Sequence, residues 1–145
     1  MVFKSLDELV AYTKNKIAAS MPEVGKEMKE IVKEEVNKQV YSDYAPSLYD
    51  RTYELLNAID VSEITSDSVA TEIKDSGSWF DIYSKAHAFP MERFENGGVW
   101  GHGSTKYNPA FRPRTNIMEE SNSKAQERVP KCFKSTMNRL GVPIE

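Results

Sequence analysis

Two histidines, His87 and His102, lie in a stretch punctuated by glycine and proline; with Cys132, Asp81 or Glu92 they are the side chains that could hold a metal or move a proton. Their spacing matches neither the Cys/His pairs of zinc sites nor the acidic loop of calcium sites. Gly101-His-Gly-Ser104 sets a hydroxyl two residues from an imidazole. Neighbours in sequence rarely supply the geometry of a nucleophile and its base, and the Gly-x-Ser-x-Gly elbow is missing. The glycines at 97, 98, 101 and 103 do not follow a strand and open a helix, as a phosphate-binding turn requires. Cys132 sits in a helical pattern without a cysteine-protease signature and reads as a buried or half-buried thiol. The residues therefore predict no catalytic constellation, no metal site and no cofactor. A small histidine- or metal-dependent nuclease acting through His87 and His102 is the competing reading, and a non-viral adaptor for one protein partner is a third.

These residues need a scaffold, and length sets its scale. A chain of 145 residues is expected to be one domain able to support a core without metal or disulfide. One cysteine excludes an internal disulfide, and no apolar run approaches the roughly 18 residues of a membrane span. Met-Val-Phe-Lys-Ser leads into a capped helix rather than a signal core, so assembly in a reducing cytoplasm is expected. The net charge of −3 argues against a general nucleic-acid binder but is unevenly spread. Residues 1–84 carry 9 basic and 16 acidic side chains, whereas residues 85–145 carry 10 basic and 6 acidic. Opposite halves can attract copies head to tail, or they can be solvated charge segregated by chance.

Capping signals and periodicity predict an α+β fold: long N-terminal helices and a C-terminal helix on a small, mainly antiparallel sheet. Ser5-Leu-Asp-Glu8 has the form of a capping box, and Leu6, Leu9, Val10, Thr13 and Ile17 follow on one face. Ser20-Met-Pro-Glu23 repeats the signal and predicts a second helix, which can run in line with the first, with Val24, Met28, Ile31, Val32, Val36 and Val40 as its stripe. That helix would be on the order of 25 to 28 Å long. Ile59 to Ile64 and Val69 to Ile73 read as strands about a Thr65-Ser-Asp-Ser68 turn, Asp75-Ser-Gly-Ser78 as a second turn, and Trp79 to Tyr83 as the next strand. Periodicity is lost from 84 to 113, which reads as a long irregular loop with room for one strand pair near Ala86 to Phe89 and Gly98 to Gly101. Asn116-Ile-Met-Glu119 predicts another capping box, opening a helix with Ile117, Met118, Ser121 and Ala125 inward. Pro130 is expected to break or restart it, and Cys132, Phe133, Thr136, Met137 and Leu140 form the last stripe, closed by Gly141.

Between the helical front and the strands, Val40 to Ile59 forms a corner. Pro46 lacks an amide hydrogen and pushes Ala45 towards extended geometry, so the helix ahead cannot pass through it. Tyr41, Tyr44, Tyr49 and Tyr53 surround the turn, each able to bury its ring while its hydroxyl finds a partner. The spacing Tyr-x-x-Tyr-x-Pro-x-x-Tyr-x-Arg-Thr-x-x-Leu-Leu, after a helix and before short strands, resembles the minor tail-component family of long-tailed bacteriophages and prophages, also labelled head-tail joining, neck or tail-completion proteins. Arg112-Pro-Arg114, ahead of the C-terminal helix, is the second point of similarity. Many members of that family place a glycine after the threonine, where this chain has Tyr53.

The resemblance implies a structural virion protein, assembled in the bacterial cytoplasm and then part of the neck or tail. Copies of the family form a ring, commonly of six, between the capsid connector and the tail tube. Expected partners are therefore further copies, the portal or head-completion connector and the tail-tube protein. Passing genomic DNA allows a contact without sequence specificity, and no membrane partner is implied. The interface residues expected on this reading are Tyr44, Tyr49, Arg51, Phe94, Trp100, Tyr107, Arg112 and Arg114.

Overall fold

The computed structural model describes residues 2–42, 53–74, 78–80, 86–88, 95–96, 98–100, 110–112 and 114–144. The fold is α+β. Its elements are α1 (Leu6–Val36), a π-helical turn (Asn37–Tyr41), α2 (Glu54–Asn57), β1 (Ile59–Ile64), β2 (Val69–Ile73), β3 (Ser78–Phe80), β4 (Ala86–Ala88), β5 (Gly98–Trp100), β6 (Ala110–Arg112) and α3 (Ile117–Arg139).

Local chemistry starts α1 as expected. The Glu8 amide donates to Ser5 Oγ at 3.2 Å, and the Glu8 carboxylate reaches back to the Lys4 amide at 2.7 Å, one residue further than in the usual box. No second helix begins at Ser20. The chain runs through Pro22 as one helix of 31 residues, about 46 Å long. Ser20 Oγ donates to the Ile17 carbonyl at 2.7 Å instead of capping a new start. Pro22 is exposed, so water can satisfy the carbonyl it leaves without a donor. Pro130 behaves likewise in α3, which continues unbroken from Ile117 to Arg139. Gly141, at φ +85°, closes α3: its amide bonds the Asn138 carbonyl and the Val142 amide bonds that of Met137, the paired bonds of a Schellman cap.

The strands form three two-stranded sheets, pairing β1 with β2, β3 with β4 and β5 with β6. The first pair is the expected hairpin. Its turn is held by the Thr65 amide on the Ser68 carbonyl and by Thr65 Oγ1, which accepts from the Ser68 amide at 3.0 Å. The stretch read as an irregular loop holds three of the strands. The two strands suspected there do form, but not with each other: Trp79 pairs with His87, and Val99 with Phe111. Each antiparallel strand takes a partner outside the pair that local spacing suggested. The turn expected at 75–78 lies largely outside the described residues.

The chain forms two compact units. The first comprises Met1–Ile31, Asp60–Glu72 and Asn122–Glu145, and the second Val32–Ile59 and Ile73–Ser121. In the first, Met21, Val24, Ile31 and Met137 are buried, and Gly25 brings α1 close to the hairpin: a Cβ there would lie 3.2 Å from a methyl of Val61 and another of Val69. In the second, Val32, Val36, Val40, Leu55, Ile59 and Ile117 form the core, with Tyr41, Leu56 and Ile73 against it. The stripe from Val24 to Val40 is thus inward, as read. The stripe ahead of it is not, because Leu6, Leu9 and Val10 are exposed, and so is Met118 on α3.

Candidate functional site

The corner begins one residue later than the sequence reading placed the end of the helix. α1 widens into a π-turn at Asn37–Tyr41, and both the amide and the hydroxyl of Ser42 donate to the Asn37 carbonyl, at 2.8 and 2.9 Å. Val40, four residues after Val36, lies in the core, and Tyr41 packs beside it. The chain returns at Tyr53, whose φ of +54° makes it the non-glycine residue in the left-handed region among those described. Its carbonyl then accepts from the Asn57 amide at 3.2 Å, and α2 starts. The rings of Tyr41 and Tyr53 lie 4.8 Å apart at 39°, a tilted stack between the last residue of the π-turn and the residue that opens α2. The left-handed backbone is the geometry in which glycine costs least, so a tyrosine there carries a conformational cost that its ring contact offsets.

Residues 43–52 themselves, with Tyr44, Pro46, Tyr49 and Arg51, lie outside the described residues, as do Phe94, Tyr107 and His102. Trp100 is a β5 residue opposite Ala110, and Arg112 is a β6 residue opposite Gly98, so one ribbon carries both rather than an open loop. His87 belongs to β4. Arg114 is exposed, just ahead of the buried Thr115.

Sequence reading missed how α3 is opened. Rather than a box built by Asn116, the Asn116 amide donates to Gln39 Oε1 at 2.7 Å, and the Met118 amide to Glu95 Oε1 at 3.3 Å. Gln39 in turn donates through Nε2 to Glu35 Oε2 at 2.8 Å, and Glu35 is fully buried. The helix start beside Arg114 is thereby tied to the last turns of α1. A buried carboxylate within an apolar stripe carries no local signal, since Glu35 reads as one more charged residue of a Lys/Glu-rich helix.

Among the described residues no group of three His, Cys, Asp or Glu side chains could hold a metal ion, and no helix is long and apolar enough to cross a membrane. Cys132 is half-buried, with its thiol 3.8 Å from the Glu23 carbonyl. Burial pushes its pKa up, the nearby Glu27 and Glu23 carboxylates add to the shift, and a bond with Thr136 opposes it. A thiol held protonated in this way is a weak nucleophile.

Fold and corner together define a small α+β protein built on two long helices, with an aromatic clamp at the end of the first. The family model of YomN matches residues 5–139, and the chain belongs to the YomN family. The name is of Bacillus prophage type, and membership is consistent with a phage-derived protein. No curated protein and no solved structure matches the chain significantly.

Proposed function

We propose that this protein is a structural component of a phage particle, one subunit of an oligomeric ring at the neck that joins the capsid connector to the tail tube or completes the tail. The observation that carries this reading is the family match over residues 5–139, which is consistent with a phage origin. Two features support the finer assignment. The left-handed Tyr53, stacked on Tyr41, departs in residue type from the many members of the resembled neck family that have glycine at this position, but its backbone takes the conformation a glycine would favour. Arg114 presents an exposed guanidinium next to a helix start held by Gln39 and Glu95, a fixed base for a planar fork that binds carboxylates. The protein acts by docking, with further copies, the head connector and the tail tube as partners, and it resides in the virion.

The test is loss of the gene from the phage or prophage that carries it. Filled heads and free tails that fail to join are the expected product, and normal yields of infectious particles from the null strain would overturn the reading. Complementation with Arg114→Glu probes the residue-level assignment and is expected to lower particle yield at least tenfold while the purified variant stays folded. Simple deletion of residues 92–107 is a poorer probe, because it removes β5 and strands β6 without its partner.

A further inference from the structure

Outside the first turns of α1 and Tyr53, the large apolar side chains that stand exposed among the described residues are Ile64 and Met118, each 49% exposed. Their surroundings carry opposite charge. Ile64 ends β1, and because Val61 and Val69 face Gly25 of α1, strand alternation turns Ile64 to the outer side of the hairpin. From Val61 to Ile73 the chain holds Glu63, Asp67 and Glu72 and no lysine or arginine. Glu63 and Asp67 are exposed at the tip, where Asp67 accepts from the Thr65 hydroxyl at 3.2 Å and neither carboxylate meets a cation among the described residues.

Met118 stands in the first turn of α3, four residues after Arg114, which is exposed and has no carboxylate partner among the described residues. The acids nearby are placed elsewhere. Glu95 is turned onto the Met118 amide. Glu119 and Glu120 follow at about 100° and 200° around the helix, so neither lies in line with Met118.

We propose that these are the two halves of one contact between copies of the chain: the hairpin tip of one copy seats Ile64 on Met118 of the next, with Glu63 and Asp67 against Arg114. The inference rests on the ring reading above and names the partner of Arg114 within it. Each patch joins one apolar side chain to unpaired charge, and the signs are complementary. Both stay exposed within one chain, so whatever covers either comes from outside it. Tip against tip would oppose carboxylates. Tip against helix start is a heterologous contact that leaves a free half on each copy, the kind that closes a ring or extends a filament.

Two half-exposed side chains and one guanidinium make a small patch, well below the roughly 800 Å² per partner of a standard stable interface. Association of the isolated chain is accordingly weak, and because its selectivity is electrostatic it fades with salt.

Sedimentation velocity of the full chain from about 10 µM to 1 mM tests the contact over the range where weak association is populated. The wild type is expected to associate at roughly 10 mM ionic strength and to lose most of that association near 1 M, where the Debye length falls to about 3 Å. Arg114→Glu, and Glu63→Lys combined with Asp67→Lys, should each weaken it by roughly tenfold or more, and Ile64→Ser by several-fold. Mixing the two charge-reversed proteins should restore it, since reversed tip then meets reversed helix start and the unaltered halves meet each other. All the altered positions are exposed, so the variants should keep the wild-type circular dichroism spectrum. A wild type monomeric throughout, or a mixture no more associated than either variant alone, would overturn the proposal; the first result would leave the head connector or the tail tube as the acidic partner of Arg114. The ring reading is judged separately by the null strain: infectious particles from that strain, together with association restored in the mixture, would remove the neck role and keep this contact.

Discussion

Nε of Arg128 lies 2.7 Å from Oε1 of Glu27, a bond between residues 101 apart in sequence that fixes the register of α3 against α1 in the first unit. Side-chain exposures of 34% and 27% leave the pair partly screened by water, so its worth is that of a charge-assisted bond discounted for solvent. A double-mutant cycle with Glu27→Ala and Arg128→Ala should give a coupling of about 1 kcal/mol by denaturant unfolding, falling as salt is raised. A coupling indistinguishable from zero would show that apolar packing alone sets the register.

At Tyr53 the usual order of alanine and glycine should reverse. Tyr53→Ala loses the stack on Tyr41 and keeps a side chain at φ +54°, whereas Tyr53→Gly loses the same ring and relaxes the backbone. The glycine variant should be more stable than the alanine variant by about 1 kcal/mol, measured by thermal or urea unfolding. Equal stabilities would mean that the left-handed geometry costs nothing there.

Gly25 is a glycine inside a helix, where alanine normally stabilises by about 1 kcal/mol. Here an added Cβ would stand 3.2 Å from Val61 and from Val69, tighter than ordinary contact. Gly25→Ala should therefore fall near neutral, and Gly25→Leu should cost about 2 kcal/mol or more by overpacking. A stabilised leucine variant would show that the hairpin yields freely against α1.

Cys132 should react slowly and late in a pH series. With its pKa raised by burial and by Glu27, the folded thiol deprotonates at higher pH than an unfolded one. The sign for stability follows: the contribution is complete below the unfolded thiol pKa of about 8.5 and is lost as pH climbs through the folded value. Alkylation by iodoacetamide in the folded protein should lag an unfolded control across pH 7 to 9, and a rate equal to that control would contradict the geometry.

Much of this fold was legible because it rests on short-range chemistry. The Ser5 and Glu8 bonds, the Thr65 turn and the Gly141 cap each close within six residues, and the alternation of Val69, Thr71 and Ile73 marks a strand without reference to anything distant. The left-handed backbone at Tyr53 is not legible in the sequence, because a tyrosine carries no local signal for a positive φ. Of the interface candidates, the sequence placed Arg114 ahead of the last helix and Trp100 in a candidate short strand, but it read Arg112 as a loop residue and did not pair the two strands that carry Trp100 and Arg112.

What the sequence determined alone was the α+β class, the caps at Ser5 and Gly141 and the inward stripe from Val24 to Val40, because dihedral preference and hydrogen bonds within a turn are set by neighbouring residues. The tertiary structure decided whether α1 passes Pro22, which strand pairs with which, that Gln39 and Glu95 rather than Asn116 meet the amides at the start of α3, and that Leu6, Leu9 and Val10 stay uncovered. Those outcomes depend on partners 23, 77 or more than 100 residues away, and on where one helix stops beside another. No local pattern encodes that distance.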